Sequence, residues 1–145
     1  MPRHVLQRGS FSATMAALEA VQLGDQQQIL AAMAVLDEFP AKDILGSIAE
    51  LFSRITPALK PEQKQMMREE LDATHAPPAI KDAVVEIGNA LMVEFDAIAM
   101  AQALRPMVEQ GYLVEVLGSI IFAAGRILRR LDAKMHWKRS MLQKW

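Results

Sequence analysis

The sequence predicts an all-α fold, a single-domain bundle of five to six helices spanning residues 1–145, and three observations carry that expectation. Apolar residues recur at three- and four-residue spacing along most of the chain. Gly and Pro, seven of each in 145 residues, fall mostly at the ends of those runs. No segment alternates apolar and polar residues between turn signals, as a half-buried strand must. With 52% hydrophobic and 23% charged residues, the chain is too apolar for disorder and too charged for a membrane bundle. At this length it buries a core without metal or disulfide staples. The longest stretch free of formal charge, Gln26 to Leu36, is far short of the roughly 20 apolar residues of a spanning helix.

Ser10 or Ser12 can cap a first helix through Met15, Leu18 and Val21, which Gly24 ends in a left-handed conformation. Before it, Arg3, His4 and Arg8 form an acid-free, Ser-containing start. Such a start has the form of an organelle transit segment, but a plain helix lead-in is the simpler reading. Asp25 followed by Gln28 has the form of an N-cap, and Ile29, Leu30, Met33 and Leu36 then repeat helically up to Pro40. Asp43 opens a third helix whose stripe is Ile44, Ile48, Leu51, Phe52 and Ile55, ended by Pro57. Pro61 starts a polar, surface helix anchored by Met66, Met67 and Leu71. After Pro77 and Pro78, Ile80, Val84, Ile87, Leu91, Phe95 and Ile98 form one stripe, and Val85, Met92, Val93 and Met100 make the run apolar nearly all round. It predicts one continuous central helix ending near Leu104, since Pro106 disfavours helix at the residue before it. Gly111 marks a joint, and Leu113, Val116, Leu117, Ile120, Ile121, Ala124, Leu128, Leu131 and Met135 define a long final helix.

Leu45-Gly46-Ser47-Ile48 recurs as Leu117-Gly118-Ser119-Ile120, an offset of 72 residues that also relates Arg54-Ile55 to Arg126-Ile127. This pattern raises an internal duplication, with 10–60 and 82–132 as tandem repeats about a pseudo-twofold axis, against chance recurrence of a tetrapeptide in a Leu- and Ile-rich chain. A helix-interior Gly costs about 1 kcal/mol relative to Ala. Gly46, Ser47, Gly118 and Ser119 are therefore expected to form a seam where helices cross closely, the alternative being ordinary interior glycines.

Chemistry is sparse. Without Cys there is no disulfide, thiolate metal site or thiol nucleophile, which is compatible with either redox compartment and points toward the cytoplasm. The three His stand at 4, 75 and 136. Asp72 with His75 and Asp132 with His136 have ligand-like spacing but lack the further acids a carboxylate-bridged centre needs. Glu94 and Asp96 interrupt the apolar fifth helix, yet residues two apart on a helix point about 200° away from each other, so one is expected to reach solvent and the other an Arg. No phosphate loop, nucleophile elbow or metalloprotease helix occurs. No catalytic residue, cofactor or metal ligand is predicted.

Charge is the main polarity of the chain. Residues 126–145 carry seven bases (Arg126, Arg129, Arg130, Lys134, Lys138, Arg139, Lys144) against Asp132, a net +6, whereas the whole chain is −1 and the preceding 125 residues therefore −7. With Trp137 and Trp145, this basic tail suits an acidic protein groove, nucleic-acid phosphates or an anionic membrane surface. Otherwise its bases simply complement the helix C-terminus and the acidic body. Ten Met suggest adaptable apolar surfaces. The expected function is a non-enzymatic protein-binding module, an adaptor, chaperone-like, assembly or inhibitory protein acting through apolar helix faces and able to form a homo-oligomer. Nucleic-acid binding through the tail is the alternative, and peripheral membrane binding the third.

Overall fold

Seven α-helices and no strand make up the described residues: α1 (Arg3–Leu23), α2 (Gln26–Leu36), α3 (Ala41–Ile55), α4 (Pro61–Asp72), α5 (Pro78–Gly88), α6 (Ala97–Gln110) and α7 (Leu113–Met135). A 3-10 turn (Thr56–Ala58) follows α3, and a π turn (Asn89–Val93) follows α5. The computed structural model describes the backbone of residues 3–135 and the side chains of residues 9–131. None of the described helices is long and apolar enough to cross a membrane.

The all-α prediction holds, with more helices than the five to six that periodicity gives. Asp25 caps α2 by accepting the N–H groups of Gln27 and Gln28 at 3.0 and 3.2 Å. Ile29 and Leu36 of that helix are buried, whereas Leu30 faces solvent. In α3 the whole predicted stripe, from Ile44 through Ile55, is buried. Met67 and Leu71 anchor α4 as expected. Gly24 and Gly111 both adopt positive φ, 73° and 77°, and so end α1 and α6 where a side chain would be strained.

Four expectations are corrected. Ser10 and Ser12 do not start the first helix, which already runs from Arg3. Ser10 is instead buried in its interior, 3.2 Å from Ser47 Oγ of α3, so a pair of hydroxyls satisfies itself at that crossing. The predicted continuous fifth helix is broken after the π turn, and α6 restarts at Asp96, whose carboxylate accepts the N–H groups of Ile98 and Ala99. Pro106 lies inside α6 rather than beyond its end, which comes at Gln110. The central helix is α7, not α5. It packs against α1, α4, α5 and α6, because adjacent apolar pairs (Ile120-Ile121, Ala123-Ala124, Ile127-Leu128), all buried, give it two stripes in place of one.

The closest helix approaches fall at glycines other than the predicted pair. A Cβ built on Gly125 of α7 would lie 2.6 Å from Val21 Cβ of α1, and one on Gly88 would lie 2.4 Å from Leu71 Cδ2. Gly46 faces open space, and the nearest atom to a Cβ on Gly118 is Met33 Cε at 3.9 Å. Among the four predicted seam residues, Ser47 is buried at a crossing and Ser119 is half-buried.

Two helix starts fall near the 72-residue offset. Shifted by that amount, α2 becomes 98–108, within α6, and the first residue of α3 becomes Leu113, the first residue of α7. Helix α1 lies against α2, α3 and α7, while α5 lies against α6 and α7 and the π turn that follows it lies against α3. Helix α4 packs on α5, the π turn and α7.

Candidate functional site

An opening on the described surface is built around the π turn. Glu94 N–H donates to Asn89 O at 2.9 Å, the five-residue bond of a π turn, and Asp96 N–H donates to Ala90 O at 3.1 Å. This wide loop accommodates an extra residue, a geometry found mostly as single turns and often at functional sites. Leu91, Met92 and Val93 point into the protein, and the chain then turns extended at Glu94 and Asp96. Phe95, between them, is 65% exposed and Ile98, in the first turn of α6, is 72% exposed. Two large apolar groups in solvent three residues apart are the informative feature, since buried partners for them are absent from their own bundle.

Beside Phe95 an open groove of about 280 Å³ runs between the end of α3 and the π turn, its walls formed by Ala49, Ser53, Pro57, Leu59, Leu91 and Val93 among others. Thr56 Oγ1 donates to Phe52 O and also lies 3.3 Å from Met92 O, tying the two walls together at one end. Offset by 72 residues, Ser53 corresponds to Gly125 and Val93 to Val21. On that other side the helices close to contact through Gly125, whereas here Ser53 stands on the wall and the gap stays open. An adjoining recess of about 200 Å³ is polar, with Arg68, Glu86, Asn89, Glu94 and Asp96 in its lining. Glu94 is exposed and pairs with Arg68 at 3.7 Å, while Asp96, also exposed, is occupied as a cap. The expectation for these two acids therefore holds, with Glu94 meeting Arg68 and Asp96 reaching solvent, where it also caps α6. Asn89 donates to Val85 O at 2.9 Å, and its buried Oδ1 has no partner.

Of the predicted cationic site, the described arginines are engaged within the fold. Glu70 of α4, 17% exposed, accepts Arg126 Nε and Arg130 Nη1, both at 3.1 Å. Arg129 donates to Gln22 O and Val21 O at 3.0 and 2.9 Å, closing the carbonyl end of α1. All three therefore make intramolecular contacts, while Arg129 and Arg130 remain exposed to solvent. Lys134 lies in the backbone of α7 with its side chain outside the described residues, as do Trp137, Lys138, Arg139, Lys144 and Trp145 altogether. The abundant Met are also partly explained by packing, since Met67, Met92 and Met107 are fully buried core. Helical spacing puts Phe95 and Ile98 on the buried stripe of a continuous fifth helix, and the structure corrects this, since the break before α6 leaves both in solvent; the signal that could have found it is Asp96 read as an N-cap.

Chemically, the groove offers apolar contact and few reactive groups. Its hydroxyls are spent on backbone carbonyls, Ser53 on Glu50 O and Thr56 on Phe52 O, and Lys64 is its base. Among the described residues, no three His, Asp or Glu side chains gather as a metal site. The fold and the site thus define an all-α bundle with an open apolar groove. No family model, curated protein or solved structure matches the chain.

Proposed function

We propose that the protein is a non-enzymatic binding module that receives an apolar segment of a partner protein in the groove beside Phe95. The observation that carries this reading is Phe95, 65% exposed on the wall of an open apolar groove, with a second exposed apolar residue, Ile98, three positions on. A partner helix or extended segment with one or two apolar anchors fits such a surface, because a few desolvated anchors supply most of the energy of an interface. The shared offset in helix starts supports a duplicated three-helix unit, in which one inter-helix gap is closed and the other left for a ligand.

Engagement of Arg126, Arg129 and Arg130 favours this over phosphate binding, which would have to withdraw them from Glu70 and from the α1 carbonyls. The test is photocrosslinking in cells from a benzophenone amino acid at position 95, with the exposed position 37 on α2's end as control. A discrete adduct to another protein from 95 alone is expected. Indistinguishable adduct patterns from 95 and 37 would overturn the reading.

A further inference from the structure

We infer that the chain opens at the joint between α5 and α6 and exchanges α6 and α7 with a second copy of itself, forming a domain-swapped dimer in which α5, the π turn and α6 run as one helix. The inference does not depend on what occupies the groove. Of the six joints between the described helices, five contain Gly or Pro: Gly24, Pro40, Pro57, Pro77 and Gly111. The sixth, Glu94-Phe95-Asp96, contains neither. Gly88, just before the π turn, is itself helical at φ −58° and ψ −44°, and Leu71 packs where its Cβ would stand, so it serves close packing and not a break. From Ala90 to Leu104 the residues are mostly Ala, Leu, Met, Glu and Gln, all strong helix formers. The break is therefore held by the π turn and the Asp96 cap, with no residue in it that forbids a helix.

The apolar pattern carries the second arrangement. Val84, Ile87 and Leu91 are buried, and on a continuous helix Phe95 and Ile98 would extend their stripe, all five lying within a sector of about 80°. In the folded-back form the last two are instead 65% and 72% exposed. Straightening returns them to the stripe, and a twofold axis then sets Phe95 and Ile98 of one copy against those of the other, because an isologous interface brings the same patch of both copies face to face.

Chain connectivity makes the opening an exchange. Helix α6 is lightly held, with Ala103 and Met107 as its buried residues, and straightening swings it away from α5, against which it packs. Its fourteen residues are about 21 Å long, and a swing of about 60° already moves the far end by that length. The link through Gly111 and Tyr112 spans about 10 Å, so α7 must travel with α6. Yet α7 is the centre of the core, with Val116, Ile120, Ile121, Ala124, Ile127 and Leu128 all buried. A close-packed core does not tolerate that void, and an identical α7 refills it without any change of shape. Two copies therefore exchange α6 and α7, and the contacts of α7 with α1, α4 and α5 are remade between chains, including Glu70 with Arg126 and Arg130.

The experiment refolds the full chain from urea at low and at high protein concentration and reads its mass by sedimentation. Asp96→Ala removes the cap of the folded-back form in both copies and is expected to raise the dimerisation constant about 25-fold, 5-fold for each cap. Ala97→Pro is expected to abolish the dimer and leave the circular dichroism of the monomer unchanged. Position 97 is the exposed first residue of α6, where Pro is favoured, and Asp96 before it already has the extended backbone that Pro requires, φ −144° and ψ 97°. In the interior of a continuous helix the same Pro is a breaker. Exchange itself is read by charge reversal. Glu70→Lys in one chain, and Arg126→Glu with Arg130→Glu in another, each set like charges between α4 and α7 of a monomer, whereas both lobes of an exchanged heterodimer regain opposite charges. Refolding the two chains together is expected to give heterodimer in excess of either homodimer.

A monomer at both concentrations in Asp96→Ala would overturn the inference. A dimer that survives Ala97→Pro would do the same, since it would be an association of folded-back chains through their surfaces. Heterodimer no more abundant than chance mixing gives would rule out the exchange of α7. None of these results bears on the adduct from position 95, by which the proposed function is judged separately.

Discussion

Replacing Gly125 by Ala adds a single methyl at the crossing of α7 and α1, and its cost follows from two opposed terms. As an interior helix position, Gly→Ala is worth about 1 kcal/mol of stability. Against it, the new carbon would stand 2.4 Å from Val21 Cγ1, 2.6 Å from Val21 Cβ and 3.4 Å from Leu18 O. Rotation about χ1 can withdraw the Cγ1, but Cβ moves only with the backbone, so the helices must separate by about 1 Å to restore the ~3.5 Å carbon contact. Overpacking of this kind costs about 1–3 kcal/mol. Since Leu18, Ile121 and Leu128 around the crossing are fully buried, the upper half of that range applies. A net loss of about 1–2 kcal/mol is expected, a fall in Tm of about 3–6 °C at this chain size.

Gly46→Ala is the matched control, because nothing lies within 4 Å of its Cβ. It keeps the propensity gain alone and is expected to raise stability by about 0.5–1 kcal/mol. Urea unfolding followed by circular dichroism measures both, with an unchanged slope showing that only stability moved. Adding Val21→Ala to Gly125→Ala should recover more than 1 kcal/mol of coupling, roughly the size seen for residues in contact. Equal stabilisation by alanine at 46 and 125 would refute the close approach of α1 and α7.

Two further substitutions test the elements that frame the fold and the groove. Arg129→Ala removes both donors to the α1 carbonyls at 21 and 22 and should cost about 1–2 kcal/mol, with Lys recovering part of it; urea titration reads the difference, and a neutral Arg129→Ala would show that water caps α1 equally well. Asp96→Ala removes the cap of α6 and should cost about 1 kcal/mol while Asp96→Asn costs little. Amide hydrogen exchange at Ile98 and Ala99 should rise in the Ala variant alone, and unchanged protection there would count against the cap.

Legibility of the fold from sequence depended on how many roles each residue had. In α3 the stripe Ile44, Ile48, Leu51, Phe52, Ile55 faces one core, so helical period and burial coincide. Asp25 was readable because its cap is local. Between 80 and 104 the same reasoning joined two helices into one, because Leu91, Met92 and Val93 are all buried inside a π turn and present the all-round apolar character of a central helix.

The candidate groove was not legible. Ser53 and Val93 are forty residues apart, and their gap exists only because the packing of α3 on the π turn is looser than that of α7 on α1 at Gly125. For the arginines, sequence showed a cationic helix face but not the carbonyls and the carboxylate lying against it.

The bond from Arg129 to Val21 O joins positions 108 residues apart. During synthesis α1 leaves the ribosome before α7, and its final carbonyls acquire their donor only when the seventh helix emerges, after about 5–20 s at typical elongation rates. Until then the opening helix frays at one end and has no Gly125 notch to receive Val21. The nascent molecule therefore matures late and all at once, and a nascent-chain assay stalled before residue 125 would find its beginning still unlocked.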